Sequence, residues 1–350
     1  MERSNLIMRF FAVMAVALFC LRLINPAGAQ QPDCEPGLRP FDHDLLVTGV
    51  VCIPENPQRI AALDRFSFET MLALGVQPVA ASSFALSLTR GLPYLQEQTA
   101  DVADVGQDPN LELLLQLQPD LILTTSGYGE YEQLAAIAPT VQIDFANSGQ
   151  WQSVAEVFGL AAGLETETAQ LFADYQARLA AFAEVVGTPG DIEVSVVRVA
   201  PDYISLYSQD QTSSFLGVIL GDAGLAIPQA QADVIAADSS FDGTITLEQL
   251  PLVNADVLLL WTFATSDEVA ANAQSALEAL RASPLWSTLS VIQNDAAHVV
   301  GGYWIGSSYH AAHAVIDDLF TYVARTDPAD AAANPLRPVM TPESEATAEG

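Results

Sequence analysis

The sequence predicts an α/β protein of two similar lobes, each built on a parallel sheet, joined by a long helix. Three observations carry this. Short apolar runs alternate with helical stretches, the rhythm of a parallel sheet. One loop–helix–strand pattern occurs twice, at Asn110–Leu123 and again 136 residues later at Thr246–Leu259. The most helical part of the chain, residues 151–187, lies between the two copies.

The first copy sits in the stretch Asp104–Val141. Asn110 is placed to cap a helix carrying Leu111, Leu114, Leu115 and Leu117 at helical spacing, and Pro119 ends it. Asp120-Leu-Ile-Leu123 then reads as a fully buried parallel strand. Gly127 and Gly129 turn the chain around Tyr128, putting a phenol at the strand's carboxyl end, where open α/β sheets bind ligands. In the second copy Leu247, Glu248, Leu250, Asp256 and Leu259 match Leu111, Glu112, Leu114, Asp120 and Leu123. A period this long predicts two lobes with a cleft between them, not a solenoid.

The chain has 350 residues, half of them hydrophobic, enough for two cores. Residues 1–29 read as a cleavable export signal: Arg3 and Arg9, an apolar run from Phe10 to Leu21, then Ala27-Gly-Ala29 before Gln30. The run is short for a membrane span. Cys20 invites a lipid-anchor reading, but Phe19 stands where a small residue is wanted, so an unlipidated periplasmic product is expected. Beyond the leader only Cys34 and Cys52 remain, and an even count in an exported chain favours a disulfide over two separate buried thiols.

All 12 basic residues are Arg, and past the leader nine of them face 42 acids, a net charge of −33. Such a body excludes nucleic acid and anionic membrane surfaces as partners and makes each arginine informative.

In chain order, residues 30–56 read as an irregular proline-spaced segment and 57–150 as the first lobe. There Arg59–Leu63 is a strand, Asp64 and Ser67 open a helix that stops at Gly75, and Val76–Ala80 is the next strand. Residues 151–187 hold two helices: Trp151–Ala162, then one capped by Thr166 with Leu171, Tyr175, Leu179 and Phe182 on one stripe. Residues 188–325 form the second lobe, opening with an alternating strand over Glu193–Val199, and 326–350 read as a disordered tail.

Pro57-Gln-Arg-Ile60, Glu69-Thr-Met-Leu-Ala-Leu-Gly75, Asp104-Val-Gly106, Pro109-Asn-Leu-Glu112, Pro119-Asp-Leu-Ile122, Ile137-Ala-Pro139 and Ser283-Pro-Leu-Trp286 follow one another in a specific order and spacing. From about Pro57 to Val323 the chain resembles the periplasmic substrate-binding proteins of ferric-siderophore ABC importers, the class III type with lobes joined by one rigid helix. The Ser126-Gly-Tyr-Gly129 turn resembles the ferric-hydroxamate branch, although Gln107 and Asp108 stand where that branch carries an arginine.

The resemblance implies capture of a ferric siderophore and its delivery to a dimeric inner-membrane permease, by a monomer with no resident cofactor and no catalysis. Cobalamin or haem is the alternative ligand in the class. Arginine forks suit oxygen-rich anionic chelates. Arg198 at a strand end and Arg90 in a cleft loop are therefore candidate ligand residues, as is Arg65 after the first strand, where capping a helix neighbour is the simpler job, with Tyr128, Trp261, Tyr303 and Trp304 as aromatic walls. The competing readings are a strand-end salt bridge for Arg198, a surface turn aromatic for Tyr128 and a core indole for Trp261. Glu112 and Glu248, one in each copy, are expected to dock the permease; each also suits a helix's first turn. A free-metal site built on His310, His313, Asp317 and Asp318, or a metal-dependent enzyme, is the less favoured class. Zinc needs three or four converging ligands, and neither a nucleophile elbow nor a phosphate loop is present.

Overall fold

A computed structural model describes residues 33–89, 92, 95–201, 203–207, 214–238, 242–262 and 267–337. The leader with Cys20, candidate Arg90 and the last 13 residues of the tail lie outside them.

Twelve strands are described: β1 (Leu38–Phe41), β2 (Val51–Pro54), β3 (Ile60–Ala62), β4 (Ala80–Ala81), β5 (Ala103–Asp104), β6 (Leu121–Thr125), β7 (Thr140–Ile143), β8 (Val194–Val199), β9 (Ile204–Tyr207), β10 (Asp242–Ile245), β11 (Val257–Trp261) and β12 (Ala297–Val299). The first lobe is a parallel sheet in the order β5-β4-β3-β6-β7. The second has the order β10-β9-β8-β11-β12, parallel where β8, β11 and β12 meet and antiparallel around β9. The helices that matter below are α1 (Arg65–Ala73), α2 (Leu111–Leu117), α3 (Trp151–Ala161), α4 (Glu165–Val186), α5 (Phe215–Asp222), α6 (Asp267–Ala282), α7 (Tyr309–Asp318) and α8 (Pro328–Ala332).

The local signals act as expected in the first lobe. Asp64 caps α1 by accepting from the Phe66 and Ser67 amides, and Gly75 turns the chain after it at φ +77°. Asn110 caps α2 through the Leu113 amide. In the second lobe the repeated segment Leu247–Val253 is a 3-10 helix. Pro251 stands where the first copy has Leu115, and a residue without an N–H cannot continue an α-helical ladder.

Asp120 and Asp256 do the same job in each sheet. The Asp120 amide donates to the Arg59 carbonyl (2.9 Å), and its carboxylate accepts from the Arg59 amide (2.9 Å) and the Gln58 amide (2.7 Å). The Asp256 amide donates to the Glu193 carbonyl (3.0 Å), and its carboxylate accepts from the Glu193 amide (2.9 Å). Each acid clasps the residue just ahead of the neighbouring central strand.

The two helices between the lobes lock together at one point. A Cβ on Gly159 of α3 would overlap the Thr168 side chain of α4. The residues of α3 divide between two cores: Trp151 and Ala155 join the second lobe's, while Val154, Val157, Phe158 and Ala161 join the first's. Helix α4, 22 residues or about 33 Å at the α-helical rise, begins beside Leu164 on the first core and carries Leu171, Tyr175, Leu179 and Phe182 into the second.

Four expectations need correction. Residues 30–56 are not irregular throughout: β1 and β2 form an antiparallel pair, and Cys34 and Cys52 are disulfide-bonded with Cα atoms 5.6 Å apart. Bonds from this segment also cover the β7 edge, the Val47 amide to the Gln142 carbonyl and the Asp144 amide to the Leu45 carbonyl. Thr166 lies inside α4 and Leu164 is its N-cap, because Gly163 at φ +76° ends the previous helix immediately before it. Strand β8 does not alternate: Val194, Ser195, Val196 and Val197 are all buried, as suits a central strand covered on both faces. The start of the tail is ordered. Asp327 caps α8, and Arg178 of α4 donates to the Ala332 carbonyl at 3.0 Å.

Candidate functional site

Each sheet has a point where the chain reverses its direction of spread. In the first lobe the chain runs outward from β3 to β4 and β5, then returns to lay β6 and β7 on the other side. The carboxyl ends of β3 and β6 therefore flank a crevice, the place where such sheets take ligands. β3 leads into Asp64 and Arg65, and β6 leads into Ser126, Gly127 and Tyr128. In the second lobe the equivalent crevice lies between β8 and β11, whose register pairs Arg198 with Trp261.

The first crevice is polar and partly buried. Burial pushes the Asp64 carboxyl up to about 6, against hydrogen bonds from Ser67 and Phe66 that favour its charge. Burial also raises the Tyr128 phenol, beside the Gln107 amide and the charges of Asp64 and Arg65. Arg65 lies over the Phe66 ring at 4.8 Å and reaches across to the other lobe, donating to the Ile305 carbonyl and the Ser307 hydroxyl, both at 3.1 Å. The turn following β12 thus sits against the first lobe, and the carboxyl edges of the two sheets face one another.

In the second crevice Arg198 donates to the Tyr203 hydroxyl at 3.1 Å and the Ser205 hydroxyl at 3.4 Å. Its guanidinium lies 5.7 Å from the Trp261 ring centroid and 5.6 Å from that of Tyr203. Among the described residues its partners are these hydroxyls and rings, and no acid is paired with it.

The aromatic candidates separate. Trp261 and Trp304 are fully buried. Trp261 leans on Tyr207, with ring centroids 5.8 Å apart, so it supports Arg198 from below and offers no face to a ligand. Trp304 donates its indole N–H to Asp318 at 2.6 Å and belongs to the second core. Its expected place as a stacking wall is corrected on that ground. Tyr303 is half-buried, packs on both cores and donates its hydroxyl to the same Asp318 oxygen at 2.8 Å. Two residues outside the candidate set enter instead. Tyr203 is 42% exposed beside Arg198, and Gln107 meets Tyr128. Gln107 was legible as the residue standing where an arginine is usual; Tyr203 carried no sequence signal.

Glu112 and Glu248 are both exposed in the first turn of their helices. Each helix follows an edge strand, β5 or β10, at the carboxyl side of its sheet, so the two acids occupy matching outer corners of the cleft face. Beside Glu248 a groove of about 310 Å³ is lined by Pro201, Tyr203, Leu247 and Ala276. His310 and His313 are buried, and Arg178 engages the His313 ring, the His313 carbonyl and Asp317. Among the described residues no group of three or more His, Cys, Asp or Glu is placed to hold a metal. Nor is any described helix long and apolar enough to cross a membrane.

A family model described as periplasmic binding protein matches residues 60–299. The chain belongs to the periplasmic binding protein family. A probable siderophore-binding lipoprotein of Bacillus subtilis, YfiY, is 32% identical over 287 residues, 78% of this chain and 85% of that one. A putative ABC transporter substrate-binding lipoprotein of the same organism, YhfQ, is 25% identical over 285 residues, 79% of this chain and 86% of that one. Among solved structures, Staphylococcus aureus SirA complexed with staphyloferrin B superposes with a TM-score of 0.67 at 25% identity, covering 81% of this chain and 98% of SirA. The two facing sheets and the helix between them are the class III architecture.

Proposed function

We propose that this protein captures a ferric siderophore between the facing carboxyl edges of its two sheets and delivers it to a dimeric ABC permease outside the cytoplasm. The observation that carries the reading is the pair of opposed crevices, with Tyr128 at one and Arg198 and Tyr203 at the other, held face to face where Arg65 bonds across to Ile305. Guanidinium and phenol donors suit the oxygen-rich surface of a chelate that already holds its metal. YfiY is a probable siderophore-binding lipoprotein and SirA was solved with staphyloferrin B, which supports that ligand class.

In this reading Arg198, Tyr128, Tyr203 and the exposed part of Tyr303 touch the ligand, with Arg90 a further candidate. Binding, not conversion, is the task, and the protein acts as an exported monomer. Glu112 and Glu248 meet one permease subunit each. Titrating intrinsic tryptophan fluorescence with ferric hydroxamates, ferric citrate, ferric catecholates, haem and cobalamin tests the proposal. Saturation by one ferric chelate supports it; a response to haem or cobalamin alone replaces the ligand class.

A further inference from the structure

Helix α1 presents Arg65, Glu69 and Leu72 on one face, at spacings of four and three residues. That face meets the second lobe. Arg65 donates to the Ile305 carbonyl and the Ser307 hydroxyl. The buried Glu69 carboxylate faces the Ser308 hydroxyl, and the His310 ring faces the Leu72 main chain. The next residues, Ala73 and Leu74, pack on the second lobe's core. Much of this seam between the lobes is polar.

The partners of Arg65 end a tightly built turn. A Cβ on Gly301 would run into the Tyr303 ring, and one on Gly306 would run into Ala311 and the Tyr303 carbonyl. Between these two glycines the 3-10 turn Gly302–Ile305 holds Tyr303, whose ring rests on both cores and whose hydroxyl ends on Asp318. The guanidinium of Arg65 is committed on two sides, to Ile305 and to Ser307, and lies over Phe66.

We infer that Arg65 is a positioning residue for ligand binding: its bonds from the first crevice to Ile305 and Ser307 hold the Gly302–Ile305 turn, and with it the Tyr303 ring, at the mouth of the cleft. The inference rests on the siderophore-binding reading for its ligand, but the hold itself does not. It differs from direct contact because both bonded nitrogens of the fork already point at the other lobe. Ligand affinity then depends on Arg65 through geometry, whatever the charge of the chelate.

The test uses the exported protein with Arg65→Met, Arg65→Lys and Ser307→Ala, the last removing one acceptor from the opposite side. The probes are ferric citrate, an anionic chelate, and ferrichrome, a neutral one. Arg65→Met should weaken whichever of the two binds by about tenfold, and both alike if both bind. It should also speed amide exchange across residues 301–307 in the ligand-free protein. Arg65→Lys should recover part of both effects, and Ser307→Ala should reproduce them in weaker form. Loss confined to the anionic chelate would make Arg65 a direct contact and overturn the inference. Unchanged exchange at 301–307 in all three variants would overturn it too. If the unaltered protein binds neither probe nor any other ferric chelate, the proposed function fails, while the exchange measurement still decides the hold. Should Arg65→Met not fold, Arg65→Lys and Ser307→Ala carry the same comparison.

Discussion

Arg198 and Trp261 stand opposite each other on neighbouring parallel strands, with the guanidinium 5.7 Å from the indole centroid. The indole is fully buried, so it acts as a floor that holds the cation at the crevice. Arg198→Ala should weaken ferric-siderophore binding tenfold or more, roughly 1.4 kcal/mol or above, with little change in thermal stability. Arg198→Lys should recover only part, because a lysine keeps the charge and loses the planar fork. Fluorescence titration and a thermal melt on the same samples separate the two effects. Unaltered affinity in Arg198→Ala would return the residue to a structural role.

Gly159 has no room for a methyl group against Thr168. Gly159→Ala should therefore destabilise the protein by about 1–3 kcal/mol, the usual cost of overpacking a well-filled contact. The gain in helix propensity from glycine to alanine, about 1 kcal/mol, offsets part of this. Pairing the change with Thr168→Ala, which clears the space, should restore stability. Urea denaturation of the single and double variants measures both numbers, and a single variant as stable as the parent would show that α3 and α4 can shift apart.

Four buried groups set opposing pH slopes. Burial lifts Asp64 and Asp318 from 3.8 to about 6. It lowers His310 from 6.5 to about 4 and, with Arg178 nearby, His313 from 6.5 to about 3. Between pH 4 and 6 the folded state holds more protons on the two carboxyls than the unfolded state does, so their contribution to stability falls as pH rises. Below pH 6.5 the unfolded state holds more protons on the two imidazoles, so their contribution is lost as pH falls. Replacing both histidines by Gln removes the second slope. Relative to the parent, the double variant should gain stability on acidification from pH 6.5 to 4.5. Parallel stability curves, read by urea denaturation at each pH, would show that the imidazoles do not titrate as described.

Glu112 and Glu248 sit at matching corners and are exposed, so neither holds much of the fold. Replacing both by Ala should leave siderophore affinity and melting temperature nearly unchanged while uptake through the reconstituted transporter collapses. Transport that survives the double change would reduce both acids to favourable charges at helix starts, which at such exposed sites contribute little.

The sheets were legible because buried parallel strands are short apolar runs, and the repeat pointed to two of them at once. Caps such as Asp64 and Asn110 were legible because their partners lie two or three residues away. Most of what escaped was set by distant partners. The Cys34–Cys52 bond was expected from the cysteine count, but the β1–β2 pair also lies against the far edge of β7, which a run of prolines does not show. Trp304 looked like a wall because it follows a strand end, but Asp318, 14 residues further on, draws its indole inward. Tyr203 sits in the short turn between β8 and β9, and only folding brings its phenol to Arg198. The tail helix α8 was hidden because its anchor, Arg178, lies 154 residues earlier.

The clasps made by Asp120 and Asp256 lie at the opposite edge of each sheet from the ligand, yet they govern the height at which the ligand is met. Each pins the start of one central strand to its neighbour, and a strand is a ruler with a fixed step of about 3.3 Å per residue. Pinning one end therefore sets where the other end stops: Ala62 level with Leu123, just ahead of Asp64 and Arg65, and Arg198 level with Trp261. A slip of one step would turn Arg198 to the other face of its sheet and leave Tyr128 facing a different neighbour. In this fold the calibration of the binding cleft is done from below, by two acids that no ligand touches.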